Sequence, residues 1–289
     1  MVRKICNFEN FTKEIISNNW NVHGAELYED GKLTHSFGDC MTKYPIYSAT
    51  KTVLSLAVGI ARDEGKIDLT QSVQKYIPEK YLTDSASFPV MHIPLYRLLT
   101  MSVKGFPFRP EGDSFLCYSL SQKLENWETP EFDYSNIPAY LAGVALSQAI
   151  GGDVWDFIDH RILKPLCIFD AEYTRCPDGF FYGASGMKLS VSDLSKIGLL
   201  LYNGGVFEGQ RIVSEDYVKK ATSIQQMNRE GGYGYFICKY KDGFSINGKW
   251  GQKCYILPQR KLMITFLGDL RESSSAVRKS MERNLNLID

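Results

Sequence analysis

Three short stretches of this chain carry residue types that could do chemistry together. The first is Ser48-Ala49-Thr50-Lys51. At the start of a helix, residues i and i+3 share a face, so a serine hydroxyl and a lysine amine can meet there. Serine is a poor nucleophile until a base takes its proton, and a lysine becomes such a base when burial depresses its pKa. The helix N-terminus adds free N–H groups that favour an oxyanion. The same four-residue pattern recurs at Ser72–Lys75 and Ser185–Lys188, where a surface lysine one turn from a serine is the commoner meaning. Ser48 stands in a different setting. Residues 48–64 are almost wholly apolar, and a lysine opening a buried helix is hard to explain as ordinary surface.

The second stretch is Tyr134-Ser135-Asn136. A phenol near lysines can relay a proton, acting as base for the serine and acid for the leaving group. The Asn amide offers a donor and an acceptor to a substrate amide. Read alone, the stretch is also compatible with an aromatic turn closed by an Asn cap. The third runs from Ile246 to Gln252 and contains Gly248, Lys249, Trp250 and Gly251. Glycine lets a substrate carbonyl come close to the backbone, and a strand N–H can complete an oxyanion hole. A plain glycine-bearing hairpin is the simpler reading of that text. No Gly-x-Ser-x-Gly elbow, phosphate-binding glycine loop or His-Glu-x-x-His occurs, and the four histidines (His23, His35, His92, His160) sit in no catalytic pattern.

The elements that must position these groups can be read from patterning. A hairpin is predicted over 24–38 with Asp30-Gly31 at its turn. Helices are predicted over 139–150, 154–163 and 192–201, the last capped by Ser190 or Ser192. Short strands are expected over 233–239, 244–247, 253–257 and 262–267, and a closing helix over 274–286. Strands at both ends with helices between them give an α+β class. The antiparallel sheet would be built from residues 1–66 and 181–289, with a mostly helical subdomain, 67–180, inserted.

Composition narrows the partner. The 33 basic and 33 acidic residues cancel, and no run of either sign appears, which argues against nucleic acid or a membrane surface. A small molecule or short peptide is expected instead. The seven cysteines (Cys6, Cys40, Cys117, Cys167, Cys176, Cys238 and Cys254) are odd in number and contain no Cys-x-x-Cys. They suggest free thiols, no zinc site and a reducing compartment. Met1-Val2-Arg3-Lys4 leads into no apolar stretch, so a cytoplasmic location is expected.

Taken in order, the three motifs resemble those of the serine β-lactamase and penicillin-binding-protein superfamily. The branch most similar holds class C β-lactamases, β-lactamase-fold esterases, D-aminopeptidases and 6-aminohexanoate-dimer hydrolases. Residues 63–69, 93–102, 132–143, 163–166, 183–198 and 251–258 extend the likeness. The resemblance implies a β-lactamase/transpeptidase-like fold, with Ser48 as the acylated nucleophile. Lys51 would be its base or keep Tyr134 ionised, Tyr134 would shuttle the proton, and Asn136 would orient the substrate. Neither metal nor cofactor is implied. The backbone N–H of Ser48 and one from the third motif would hold the oxyanion.

That third motif departs from the lactamase pattern. It can be read as Lys249-Trp250-Gly251 or as Ile246-Asn247-Gly248, and the second keeps the family's spacing to Pro258 better. No motif cation then meets a β-lactam carboxylate, at a cost of about 1.5–3 kcal/mol in binding. The expectation is therefore an acyl-enzyme hydrolase of esters or small amides. A β-lactamase or DD-peptidase is the nearest alternative, and a catalytically silent binding protein of the same fold is the other.

Overall fold

The structure, a computed structural model, describes residues 7–83 and 86–288. Cys6 and the Met1–Lys4 stretch lie outside the described residues. Helix α1 (Phe8–Ser17) leads into a hairpin of β1 (Val22–Glu29) and β2 (Lys32–Gly38). Asp30 and Gly31 both take positive φ, 51° and 75°, as a two-residue hairpin turn with right-handed strand twist requires. Two-residue strands β3 (Tyr44–Pro45) and β4 (Lys188–Leu189) pair with each other, as do β5 (Val206–Phe207) and β6 (Gln210–Arg211). The C-terminal strands are β7 (Cys238–Tyr240), β8 (Gly243–Gly248), β9 (Gln252–Leu257) and β10 (Leu262–Gly268).

These form an antiparallel six-stranded sheet in the order β2-β1-β10-β9-β8-β7, so the two ends of the chain meet where β1 pairs with β10. The period of two decides what each face covers. Ala25, Leu27, Tyr255, Ile264 and Phe266 pack with Phe8 and Phe11 of α1 and with Val277 and Met281 of α10 (Ser274–Asn284). The opposite face, with Tyr28, Ile246, Cys254, Ile256 and Met263, joins the main core.

Between β3 and β4 the chain is largely helical. Helix α2 (Thr50–Asp63) is buried at every position from Thr50 to Ala61, so it runs through the middle of the molecule. After it come α3 (Phe88–His92), α4 (Leu95–Leu99), α5 (Phe115–Leu120), α6 (Ile137–Ile150) and α7 (Val154–Ile158). Pro138 stands in the first turn of α6, where its missing N–H costs nothing. Gly151 ends that helix in the left-handed conformation, with φ 64°. Helix α8 (Val191–Tyr202) starts with a reciprocal box between Ser190 and Asp193 and covers the core face of β9 and β10. Helix α9 (Glu215–Thr222) sets the Tyr217 ring against Gly59, where a Cβ would lie 2.5 Å away.

Two expected elements differ in detail. The helix expected over 154–163 is α7 continued by a π-helical turn, Asp159–Leu163. The strand expected from 233 begins only at Cys238, because Phe236 adopts φ 56° and the Gly234 backbone lies against Ala221 O.

Candidate active site

The chain reaches Ser48 through a strained residue. Tyr47 has φ 47°, unusual for a bulky side chain, and opens a 3₁₀ turn, Tyr47–Ala49, that feeds directly into α2. Lys51 lies in the first turn of α2 and is 1% exposed. Its Nζ donates to Asn136 Oδ1 at 2.8 Å and to Ala184 O at 2.7 Å, and stands 3.2 Å from Ser48 Oγ. Among the described residues no carboxylate pairs with it, and burial pulls its pKa from 10.5 down to about 7.

Tyr134 is brought in from the loop ahead of α6, with its ring centroid 5.0 Å from Lys51 Nζ. Burial pushes its phenol up to about 12, and a polar interaction with Ser48 opposes that shift. The phenol is therefore neutral near pH 7, which leaves Lys51 as the group able to take a proton. Asn136 caps α6; its N–H donates to Phe108 O at 2.7 Å, and its side chain also interacts with the Tyr182 hydroxyl. Lys51 is thus held from two sides by groups more than eighty residues away.

Strand β8 forms the facing wall. A Cβ on Gly248 would lie 2.2 Å from Ile46 O, so only glycine lets β8 approach the segment before Ser48 this closely. The turn from β8 to β9 bends through Trp250 (φ 61°) and Gly251 (φ 97°). Gln252 Nε2 fastens it by donating to Lys249 O at 3.1 Å and Gly268 O at 2.7 Å. Lys249 is exposed, and its ammonium lies 4.1 Å from the Trp250 ring centroid; the Arg271 guanidinium lies 4.2 Å from the same centroid.

A cavity of about 1040 Å³ opens here. Ser48, Tyr134, Gly248 and Lys249 line it, together with Asn247 and Lys253. Lys51 and Asn136 stand behind Ser48. Trp250 and Gly251 are not among the lining residues: Trp250 packs edge-on to Tyr47 at 5.1 Å, and Gly251 lies against Leu270. In the Ile246-Asn247-Gly248 segment, Ile246 is fully buried, and Asn247, Gly248 and the following Lys249 line the cavity. In the two other Ser-x-x-Lys stretches the lysine reaches solvent: Lys75 is exposed, and Lys188 pairs with Glu172 at 2.6 Å.

Sequence reasoning placed Gln252 in the third motif without giving it a role, and it missed Ala184 O, Tyr182 and Lys253. Only the last carried a signal, as a lysine leading into the apolar run Cys254–Leu257 of β9. None of the four histidines lines the cavity; His23, for one, stacks on Tyr44 at 4.1 Å. Among the described residues no group of three or more His, Cys, Asp or Glu side chains is gathered as a metal would need.

The family model described as Beta-lactamase matches residues 27–284. The chain belongs to the β-lactamase family. Among curated proteins it is similar to a 6-aminohexanoate-dimer hydrolase of Paenarthrobacter ureafaciens, 24% identical over 236 residues. That match takes in 72% of this chain and 57% of the relative, so the chain spans little more than half the length of that protein. Among solved structures, a β-lactamase/D-alanine carboxypeptidase from Pseudomonas syringae superposes with a TM-score of 0.75 at 16% identity, covering 98% of both chains. An octameric penicillin-binding protein homologue from Pyrococcus abyssi gives 0.73 at 19% identity, covering 97% of this chain and 76% of the other. This β-lactamase-family fold is α+β, with the antiparallel sheet joining both ends of the chain. Among the described residues no helix is long and apolar enough to cross a membrane.

Proposed function

We propose that this β-lactamase-family protein is a serine hydrolase that cleaves carboxylic esters or small amides through an acyl-enzyme on Ser48. One observation carries the reading: Lys51 is buried without a counter-ion among the described residues, two carbonyl oxygens take two of its N–H groups, and its remaining valence is directed at Ser48 Oγ. With the amine neutral, that valence is a lone pair.

In the acylation half, Lys51 accepts the Ser48 proton as Oγ bonds to the substrate carbonyl carbon. The oxyanion forms against the backbone N–H groups of Ser48 and Lys249, at the start of α2 and the end of β8. The proton then passes by way of Tyr134 to the leaving oxygen or nitrogen, and that bond to carbon breaks. Water reverses the sequence: Lys51, by way of Tyr134, takes its proton as the oxygen bonds to the acyl carbon, the bond to Oγ breaks, Oγ takes that proton back, and the acid departs. Asn136 holds Lys51 in place and offers its amide to the substrate. Tyr134 and Asn136 come from the 67–180 segment and the other groups from the flanking segments, so we infer that the site lies at the junction of two subdomains.

The balanced charge and a cavity of about 1040 Å³ favour a small uncharged or modestly charged carbonyl compound over nucleic acid. The six described cysteines are all free, which suits a reducing compartment such as the cytoplasm. Intact mass after treatment with a fluorophosphonate, with peptide mapping, tests the proposal. One adduct on Ser48, absent in Ser48→Ala, supports it; no adduct, or labelling elsewhere, overturns it.

A further inference from the structure

Lys253 is a second lysine in the cavity that the acyl-transfer steps do not use. It sits on β9 opposite Asn247 of β8, one strand spacing (about 4.8 Å) from the residue next to Gly248. Farther along β9, Tyr255 and Leu257 occupy the same face and are buried in the cluster under α10; at Lys253 that face opens into the cavity instead. The side chain is half-buried, and it makes no hydrogen bond or ion pair with any described residue. A cation withdrawn from water without a partner is costly, and such lysines are rare unless something pairs with them.

The surrounding charges do not meet that need. Glu230, exposed on the cavity wall, acts on Lys253 through space without reaching ion-pair distance, and Arg278 opposes it. Cys238, also in the cavity wall, stays protonated because burial raises its pKa. Of the other cations lining the cavity, Lys249 lies over the Trp250 ring and Arg229 is exposed. Next to Lys253 across the ladder, Asn247 Oδ1 is buried with no hydrogen-bond partner among the described residues, so this rung lacks both an anion and a donor.

We propose that Lys253 binds a carboxylate of the substrate, and that the enzyme prefers esters or amides carrying a free acid a few bonds from the scissile carbonyl. The ammonium would donate to the carboxylate and, with another N–H, to Asn247 Oδ1, satisfying both groups at once. The anion contact that the third motif lacks would thus come from the neighbouring strand. This inference rests on the hydrolase reading above and narrows its substrate class.

Three phenyl-type esters test it: phenyl hexanoate, monophenyl adipate, and 3-(carboxymethyl)phenyl hexanoate. The first is neutral, the second carries the acid on the acyl side, and the third on the leaving group. The wild type is expected to favour one of the acids over the neutral ester by about 10- to 100-fold in kcat/KM, the range of one charge-assisted hydrogen bond. Lys253→Met should lose that preference while still hydrolysing phenyl hexanoate, and Lys253→Arg should restore part of it. Wild-type turnover of all three esters without preference overturns this inference and leaves the hydrolase reading standing, as does a preference that survives Lys253→Met. Failure of the wild type to hydrolyse any of them, together with an unlabelled Ser48, overturns both.

Discussion

Lys51 Nζ stands 3.2 Å from Ser48 Oγ while Asn136 Oδ1 and Ala184 O, at 2.8 and 2.7 Å, occupy its other directions. A charged lysine in that position would donate to all three oxygens and leave none able to accept the serine proton. A neutral one donates to the two carbonyl oxygens and turns its lone pair to Ser48. The contacts accommodate either form, and burial, which pulls the lysine down to about 7, favours the neutral one.

Removing the amine while keeping the volume isolates that role. Lys51→Met is expected to lower kcat for an ester by about 10²- to 10⁴-fold, the usual contribution of a positioned base. Steady-state turnover checks this, with circular dichroism to show that the fold is intact.

Placing a carboxylate beside the lysine should stabilise its charged form. Asn136→Asp is expected to move the acidic limb of the rate profile toward alkaline pH by about one unit or more, because an opposite charge within reach of an amine raises its pKa. Activity at pH 7 falls, while activity well above the new pKa recovers much of the wild-type rate. A limb that stays in place would remove Asn136 from contact with Lys51.

Gly248 is a steric requirement. The added methyl of Gly248→Ala would fall 2.2 Å from Ile46 O, forcing β8 away from the Ser48 turn. The expected cost is about 1–3 kcal/mol in stability, measured by urea unfolding. A displacement of about 1 Å in the oxyanion wall should also reduce kcat/KM by roughly 10²-fold.

The buried lysine also shapes stability. In the unfolded chain Lys51 holds its proton up to about 10.5, and in the folded protein only up to about 7. Between those values the unfolded state binds more protons, so this residue's contribution to stability rises with pH across that window and is least favourable below it. The difference in urea midpoint between wild type and Lys51→Met should change in the wild type's favour from about pH 7 to 9. A constant difference would contradict the depressed pKa.

Much of this site was legible because its residues obey local rules. Ser48 and Lys51 are three apart at the head of a helix, and the apolar text after them leaves the lysine no route to water. Asp30-Gly31 marks the hairpin turn for the same reason, and the continuous apolar run of β10 marks a strand buried on both faces. Other parts depend on distant segments. Ala184 O contacts Lys51 across 133 residues, and nothing about an alanine announces that its carbonyl will be used. Lys253 was visible as a lysine in an apolar strand, but its cavity position comes from pairing with Asn247, which single-chain patterning does not reveal. The strand expected from 233 starts late because Gly234 and Phe236 turn the backbone against Ala221, a tertiary contact that outweighs β propensity. Helix α1 was not anticipated, although Phe8, Phe11 and Ile15 share the face it buries.

The central claim is that a neutral Lys51 activates Ser48, and the rate of Ser48 phosphonylation by a fluorophosphonate as a function of pH tests it most directly. With Lys51 as the base, the second-order rate constant climbs about tenfold per pH unit in acid and levels off near pH 7, where Lys51 loses its proton, with no labelling in Ser48→Ala. A rate independent of pH, or one that rises only above about pH 10 as for an ordinary lysine, would contradict it.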